Sequence, residues 1–158
     1  MSEPTDDEKR ARRDAWNRAF SNAVPHNRAL GIEIVDLGPG FCVFRMPYDE
    51  RFIGNPDTGV MHGGVITAML DACCGASVIA SLGKPVPIAT LDLRIDYLKP
   101  AAAGRDVFSR ATCFRTTRNV AFTRAVAYHD DEADPIAAAA GAFMLSTKIG
   151  GGVLGAKS

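Results

Sequence analysis

Asp71 is the residue whose surroundings demand an explanation. It stands inside VITAMLDACCGASVIASL (65–82), and apart from Asp57 it is the only charged residue between Arg51 and Lys84. Burying a lone carboxylate costs several kcal/mol unless it is paired, so an acid in an apolar run points to a general base or a nucleophile. The plainer alternative is an Asp satisfied by a nearby hydroxyl or by backbone. Thr67 and Gly75 lie one helical turn to either side, a line of little bulk along which a ligand can approach. His62-Gly63-Gly64 opens the same run. A helix N-terminus carries unsatisfied N–H groups and the positive end of the dipole, which suit a developing oxyanion. Glycine lets a carbonyl oxygen reach those amides, although the pair also reads as a tight turn into a helix. Eight residues of helix span about 12 Å and roughly 80° of rotation. Gly63 and Asp71 of one helix therefore cannot both touch one carbonyl group. If both act on one group, the site is shared by two copies of the chain.

The elements that position these residues follow from periodicity. Residues 5–24 read as one amphipathic helix, with Thr5 and Glu8 forming a capping box and Trp16, Ala19, Phe20 and Ala23 an apolar stripe. LGIEIVDL (30–37) and FCVFRMP (41–47) form a hairpin through Gly38-Pro39-Gly40, and 51–61 is a Gly/Pro/Asn/Asp-rich loop. The run to Leu82 is long enough for a helix, and apolar residues on every side predict burial of most of its circumference. TLDLRIDYL (90–98) alternates with period two, which predicts a strand with one buried face. In that alternation Thr90 falls with the polar set Asp92, Arg94 and Asp96. Strands are also predicted at 106–115, 119–129 and 136–147; the last is alanine-rich and is assigned to a strand because an antiparallel meander needs a partner there. The fold class is α+β: a curved antiparallel six-stranded sheet around a long central helix, preceded by an N-terminal helix. The chain divides into a lead-in (1–29), one folded domain (30–147) and a flexible tail (148–158).

Asn55, His62-Gly63-Gly64, Asp71 and TLDLRIDYLKPA (90–101) resemble the phenylacetic-acid-degradation (PaaI-type) branch of the hotdog-fold acyl-CoA thioesterases, over roughly residues 25–147. The resemblance implies that the Gly63 amide polarises a thioester carbonyl and that Asp71, reaching across a dimer interface, is nucleophile or base for water. It implies orienting roles for His62 and Asn55, and a water-assisting role for Thr90. Gly64, Met61 and Thr67 are expected to touch substrate, with Phe52 and Leu70 near the pocket. Arg115 and Arg118 flank a turn where cations can meet the coenzyme A diphosphate; Arg94, Lys99 and Arg105 are further candidates. The minimal unit is then a homodimer, with a homotetramer expected.

Other chemistries find less support. A formal net charge of zero gives no electrostatic case for nucleic acid or an anionic membrane. The charged first twenty residues lack the apolar stretch of a signal peptide, and the apolar run 65–82 is interrupted by Thr67, Asp71, Gly75 and Ser77, so a cytoplasmic location is expected. Four cysteines without a C-x-x-C and three scattered histidines predict small buried thiols, no metal site and no cofactor beyond the coenzyme A of the substrate. No G-x-S-x-G is present for a serine hydrolase, and Cys73 and Cys74 sit mid-helix without a basic neighbour. A hydratase reading has less support: no His-Phe-Pro element is present, and the one Asp-x4-His spacing, Asp57 to His62, falls in the Gly/Pro/Asn/Asp-rich loop before the helix. A non-catalytic acyl-CoA sensor is the remaining alternative; residues 1–29 are too short for a helix-turn-helix unit.

Overall fold

The structure is a computed structural model that describes residues 4–145. The expected tail at 148–158, and the last two residues of the strand expected at 136–147, lie outside the described residues.

The N-terminal segment departs from a single helix. Helix α1 (Asp6–Trp16) carries the expected capping box, with Thr5 accepting from the Glu8 amide and Glu8 reaching back to the Thr5 backbone. At Asn17–Asn22 the chain widens into a π turn, and it resumes as a short helix α2 (Pro25–Ala29). The cause is tertiary. The Asn17 side chain accepts from the Ile34 amide at 2.7 Å and donates to the Ile34 carbonyl at 2.9 Å, as a neighbouring strand would. Of the expected stripe, Trp16 and Phe20 pack against the core, while Ala19 and Ala23 are exposed.

Strands β1 (Glu33–Gly38) and β2 (Phe41–Met46) form the expected hairpin, turned by Gly40 at φ 76°. The loop expected at 51–61 holds a 3-10 turn (Glu50–Phe52) and a small hairpin, β3 (Ile53–Asn55) with β4 (Val60–Met61). Helix α3 (Gly63–Leu82) follows and ends on Gly83 in the left-handed conformation, φ 66°. The remaining strands are β5 (Ile88–Tyr97), β6 (Val107–Thr116), β7 (Val120–Tyr128) and β8 (Ala137–Leu145). They complete a six-stranded antiparallel sheet in the order β1-β2-β6-β7-β8-β5. The alanine-rich segment is a strand, as expected: β8 lies between β7 and β5, with Ala137, Ala139 and Phe143 facing inward.

The sheet wraps α3 chiefly through β2, β6 and β7, and Phe44, Phe143, Ile66, Met69 and Leu70 fill the space between. Truncating Phe143 to alanine would cost about 3–5 kcal/mol through lost burial and a residual cavity. Burial of α3 changes along its length: Cys73 to Val78 are buried all round, whereas in the first half Ile66, Met69 and Leu70 are buried and Thr67, Ala68, Asp71 and Ala72 are only half-buried. The buried face expected for β5 is also largely open. Strand β5 is an edge strand, and Leu91 and Tyr97 are 55% and 51% exposed.

Candidate active site

Both candidate groups, Gly63 and Asp71, lie on α3, each tied to β5 by a side-chain hydrogen bond. At the helix start, His62 is the N-cap residue and its Nδ1 accepts from the Gly64 amide at 2.9 Å. The chain passes close to the cap: the His62 amide donates to the Phe52 carbonyl, and a Cβ on Gly54 would lie 2.8 Å from His62 Cα. Gly63, the first helical residue, is half-buried, and among the described residues no acceptor meets its N–H. Its carbonyl accepts from Tyr97 Oη at 2.6 Å, and Thr67 Oγ1 lies 2.6 Å from the same phenol oxygen. The peptide between Gly63 and Gly64 is thus held at both ends, by His62 at its N–H and by Tyr97 at its C=O. Gly63 lines a cleft of ≈ 300 Å³ with Met61, Ile66, Tyr97 and Ala101. His129 props the loop behind this cleft, its Nε2 accepting from the Ala102 amide at 3.0 Å.

Eight residues on, Asp71 Oδ1 accepts from Thr90 Oγ1 at 2.8 Å. Strand parity had placed Thr90 with the polar set of its strand. A β-bulge between Thr90 and Asp92 shifts the register, so Thr90 pairs opposite the buried Phe143 and faces the helix with Leu93. Bulges re-aim side chains in this way. Asp71, Thr90, Gly64 and Thr67 line a second cleft, ≈ 580 Å³, whose far wall is the N-terminal segment. Gly63 lines only the first cleft and Asp71 only the second. This separation is the one the helix dimensions require. A larger groove of ≈ 740 Å³ runs between α1 and β1 and contains none of these residues.

The other expected site residues are placed unevenly. Gly75 is buried against Ile88 and Phe143, so it serves helix–sheet packing and does not extend the open line from Thr67 to Asp71. Asn55 is exposed, and its Oδ1 accepts from the Asp57 amide inside its own hairpin; it lines neither cleft. Leu70 is fully buried in the core, and Phe52 is half-buried. Arg94, Lys99 and Arg105 are paired with Asp96, Asp134 and Asp130. Arg115 and Arg118, at the β6–β7 turn, are exposed, have no carboxylate partner among the described residues, and line neither cleft. Tyr97 is the residue that sequence reasoning missed as part of the site. Its position in step with Leu93 and Ile95 was visible, but its reach to the helix start depends on how β5 crosses α3.

Cysteine chemistry is disfavoured by burial. Cys42 and Cys74 are pushed up to about 12, and burial raises Cys73 as well. Thiols held protonated in this way are poor nucleophiles. Cys113 is only half-buried.

Comparison with known proteins agrees with the architecture. A Pseudomonas aeruginosa crystal structure superposes with a TM-score of 0.75 at 44% identity, covering 82% of this chain and 96% of that one. A mutant form of the Thermus thermophilus phenylacetic acid degradation protein PaaI gives a TM-score of 0.66 at 26% identity, covering 76% and 97%. The sheet closed around one helix is therefore the hotdog fold. The family profile described as the thioesterase superfamily matches residues 58–136. The Escherichia coli medium/long-chain acyl-CoA thioesterase YigI is 30% identical over 139 residues, 80% of this chain and 88% of that protein. A putative esterase of Halobacterium salinarum is 34% identical over 94 residues, 58% of this chain; the match spans 61% of that protein's length. The chain belongs to the thioesterase superfamily and is a thioester hydrolase.

Proposed function

We propose that this chain hydrolyses acyl-CoA thioesters to the free acid and coenzyme A, at a site built from Gly63 of one subunit and Asp71 of the partner subunit. The observation that carries this reading is the separation itself. A free amide and a hydrogen-bonded carboxylate, both suited to acyl transfer, open into different clefts of one chain. The acyl-CoA class is supported by the names of the Escherichia coli relative and of the human acyl-coenzyme A thioesterase 13, which is 26% identical over 107 residues.

In this reading the thioester carbonyl oxygen lies at the Gly63 N–H. Asp71 either takes a proton from water, whose oxygen attacks the carbonyl carbon, or attacks that carbon itself to form an anhydride that water then opens. Charge builds on the carbonyl oxygen in both cases and is met by the Gly63 amide. The C–S bond breaks, and coenzyme A leaves as a thiolate that takes up a proton. Thr90 holds one Asp71 oxygen and leaves the other to react. His62 orients the helix start, Met61, Gly64 and Thr67 contact the substrate, and Arg115 and Arg118 meet the coenzyme A phosphates. Asn55 contributes only if substrate draws its hairpin inward. The homodimer forms along the open edge of β5, where Leu91, Tyr97 and Leu98 are exposed. A tetramer would use the outer face of the sheet, where Phe114 and Met144 are exposed.

Subunit mixing tests the shared site. Gly63→Pro deletes the N–H, yet proline is favoured at the first helical position and the extended His62 tolerates it. Gly63→Ala keeps the N–H and makes the same close approach to Tyr97, so it controls for the added Cβ. Each Gly63→Pro/Asp71→Ala mixed dimer retains one intact site and should show about half the wild-type turnover per dimer. Inactive, verified mixed dimers would overturn the shared-site reading.

A further inference from the structure

The cleft beside Asp71 is walled by a segment that lies before the family-matched residues 58–136. One side is α3, which places Gly64, Ala68 and Ala72 on successive turns beside Thr67 and the carboxylate. Leu93 of β5 closes the second side. Phe20 of the π turn and Val24, just before α2, form the third. The wall is built rather than draped. Asn17 anchors the π turn to β1 through both backbone groups of Ile34, and Ser21 donates to Asn17 Oδ1 at 3.0 Å. Asn27 donates to the Phe20 carbonyl at 3.2 Å, and the Phe20 ring packs edge-on against Phe44 with centroids 5.9 Å apart. The π turn is what brings Phe20 round toward Asp71, a recurrent use of π turns at functional sites.

The chemistry of the lining selects its occupant. No lysine or arginine lines this cleft, so it offers nothing to the phosphates of a coenzyme A nucleotide. Phe20, Val24, Ala68, Ala72 and Leu93 give it apolar walls, and its polar points are Asp71, Thr67 and Thr90 on one side and His26 and Asn27 on the other. The row Gly64, Ala68, Ala72 leaves a track of roughly 12 Å along the helix, which suits an extended chain better than a compact ring. We infer that this cleft holds the acyl chain of the substrate, an unbranched aliphatic chain laid along α3, and that Phe20 and Val24 set the length it accepts. The inference rests on the reading of Asp71 as the group at the thioester.

The test is a substrate series on the full-length chain with butyryl-, dodecanoyl- and phenylacetyl-CoA. Val24 is 38% exposed and its side chain makes no cap hydrogen bond, so Val24→Trp narrows the cleft with little demand on the core. Ala72→Leu fills it from the opposite wall. The ratio of kcat/KM for dodecanoyl-CoA to that for butyryl-CoA should fall at least about tenfold in each variant, the scale of discrimination a hydrophobic pocket provides. A ratio within twofold of wild type in both folded variants overturns the assignment. Equal losses for phenylacetyl-CoA and dodecanoyl-CoA overturn the unbranched-chain part. If Asp71→Ala keeps full turnover while the ratio still shifts, the reading of Asp71 fails and the cleft assignment stands.

Discussion

The two edges of the sheet are treated in opposite ways. At the β1 edge, the Asn17 side chain occupies both backbone groups of Ile34, and Arg12 donates to the Leu37 carbonyl at 2.9 Å. The N-terminal segment thus covers strand groups that would otherwise offer themselves to another chain. The β5 edge has no partner strand among the described residues, and Leu98 beside it is 58% exposed. Strand β5 also supplies Thr90 to Asp71 and Tyr97 to Gly63. The covered edge is a structural device. The open edge carries both links to the proposed chemistry, so the proposed dimer and the proposed catalysis share one strand.

The largest effect expected on the open side is at Asp71. Asp71→Ala and Asp71→Asn should each lower kcat/KM for acyl-CoA by at least about 100-fold with the circular dichroism spectrum unchanged, the scale of losing a base or nucleophile. Next comes the edge itself. Leu91→Lys combined with Leu98→Lys places like charges along β5 and should halve the native mass and abolish turnover together; a folded monomer with wild-type turnover would break the link between edge and chemistry. Thr90→Val and Tyr97→Phe remove one hydroxyl each and should lower kcat about tenfold, near the low end of the loss seen when a positioned donor is deleted. For Tyr97→Phe the fall should appear in kcat with KM held, because the ring still packs on Gly63; a fall in KM-linked binding alone would assign the phenol to substrate contact. On the covered side the expected effect is smallest and of another kind. Asn17→Ala should cost about 1–2 kcal/mol in thermal or urea denaturation, since two Ile34 backbone groups lose their partner.

Much of this was legible in the chain before any fold was known. Asp71 stood out because a carboxylate in an apolar run needs a reason, and His62-Gly63-Gly64 stood out because helix starts need acceptors. Helix α3 and most of the strands followed from periodicity and turn signals, and the alanine-rich β8 from the need of a meander for a partner. The failures share a cause, which is contact between residues distant in sequence. Nothing local in residues 5–24 announces that Asn17 will pair with Ile34, and that contact converts one helix into a helix, a π turn and a second helix. The alternation in β5 marks Leu93, Ile95 and Tyr97 as one face, but alternation does not state that the strand will lie at the edge of the sheet with that face largely open. Thr90 was assigned to the outer set because one extra residue at Leu91 reverses parity, and a bulge is a property of the pairing rather than of the strand. Asn55 was expected at the site by resemblance and Arg115 and Arg118 by their place beside a turn; Asn55 is hydrogen-bonded within its own hairpin, and the arginines are exposed and line neither cleft.

Helix α3 is long and apolar enough to cross a membrane by length and composition, although half of its most apolar stretch is buried within the sheet. Of the strands that wrap it, only β2 and its neighbour β1 precede it in the chain; β6, β7 and β8 follow. During synthesis the ribosome therefore delivers α3 well before its cover exists. A sticky segment of this kind waits through the translation of more than forty further residues, until β7 is complete at Tyr128. The open stretch of biosynthesis makes the nascent chain a client for chaperones that hold apolar segments, and slowing translation between Leu82 and Tyr128 should lower the soluble yield of a protein whose finished form is unchanged.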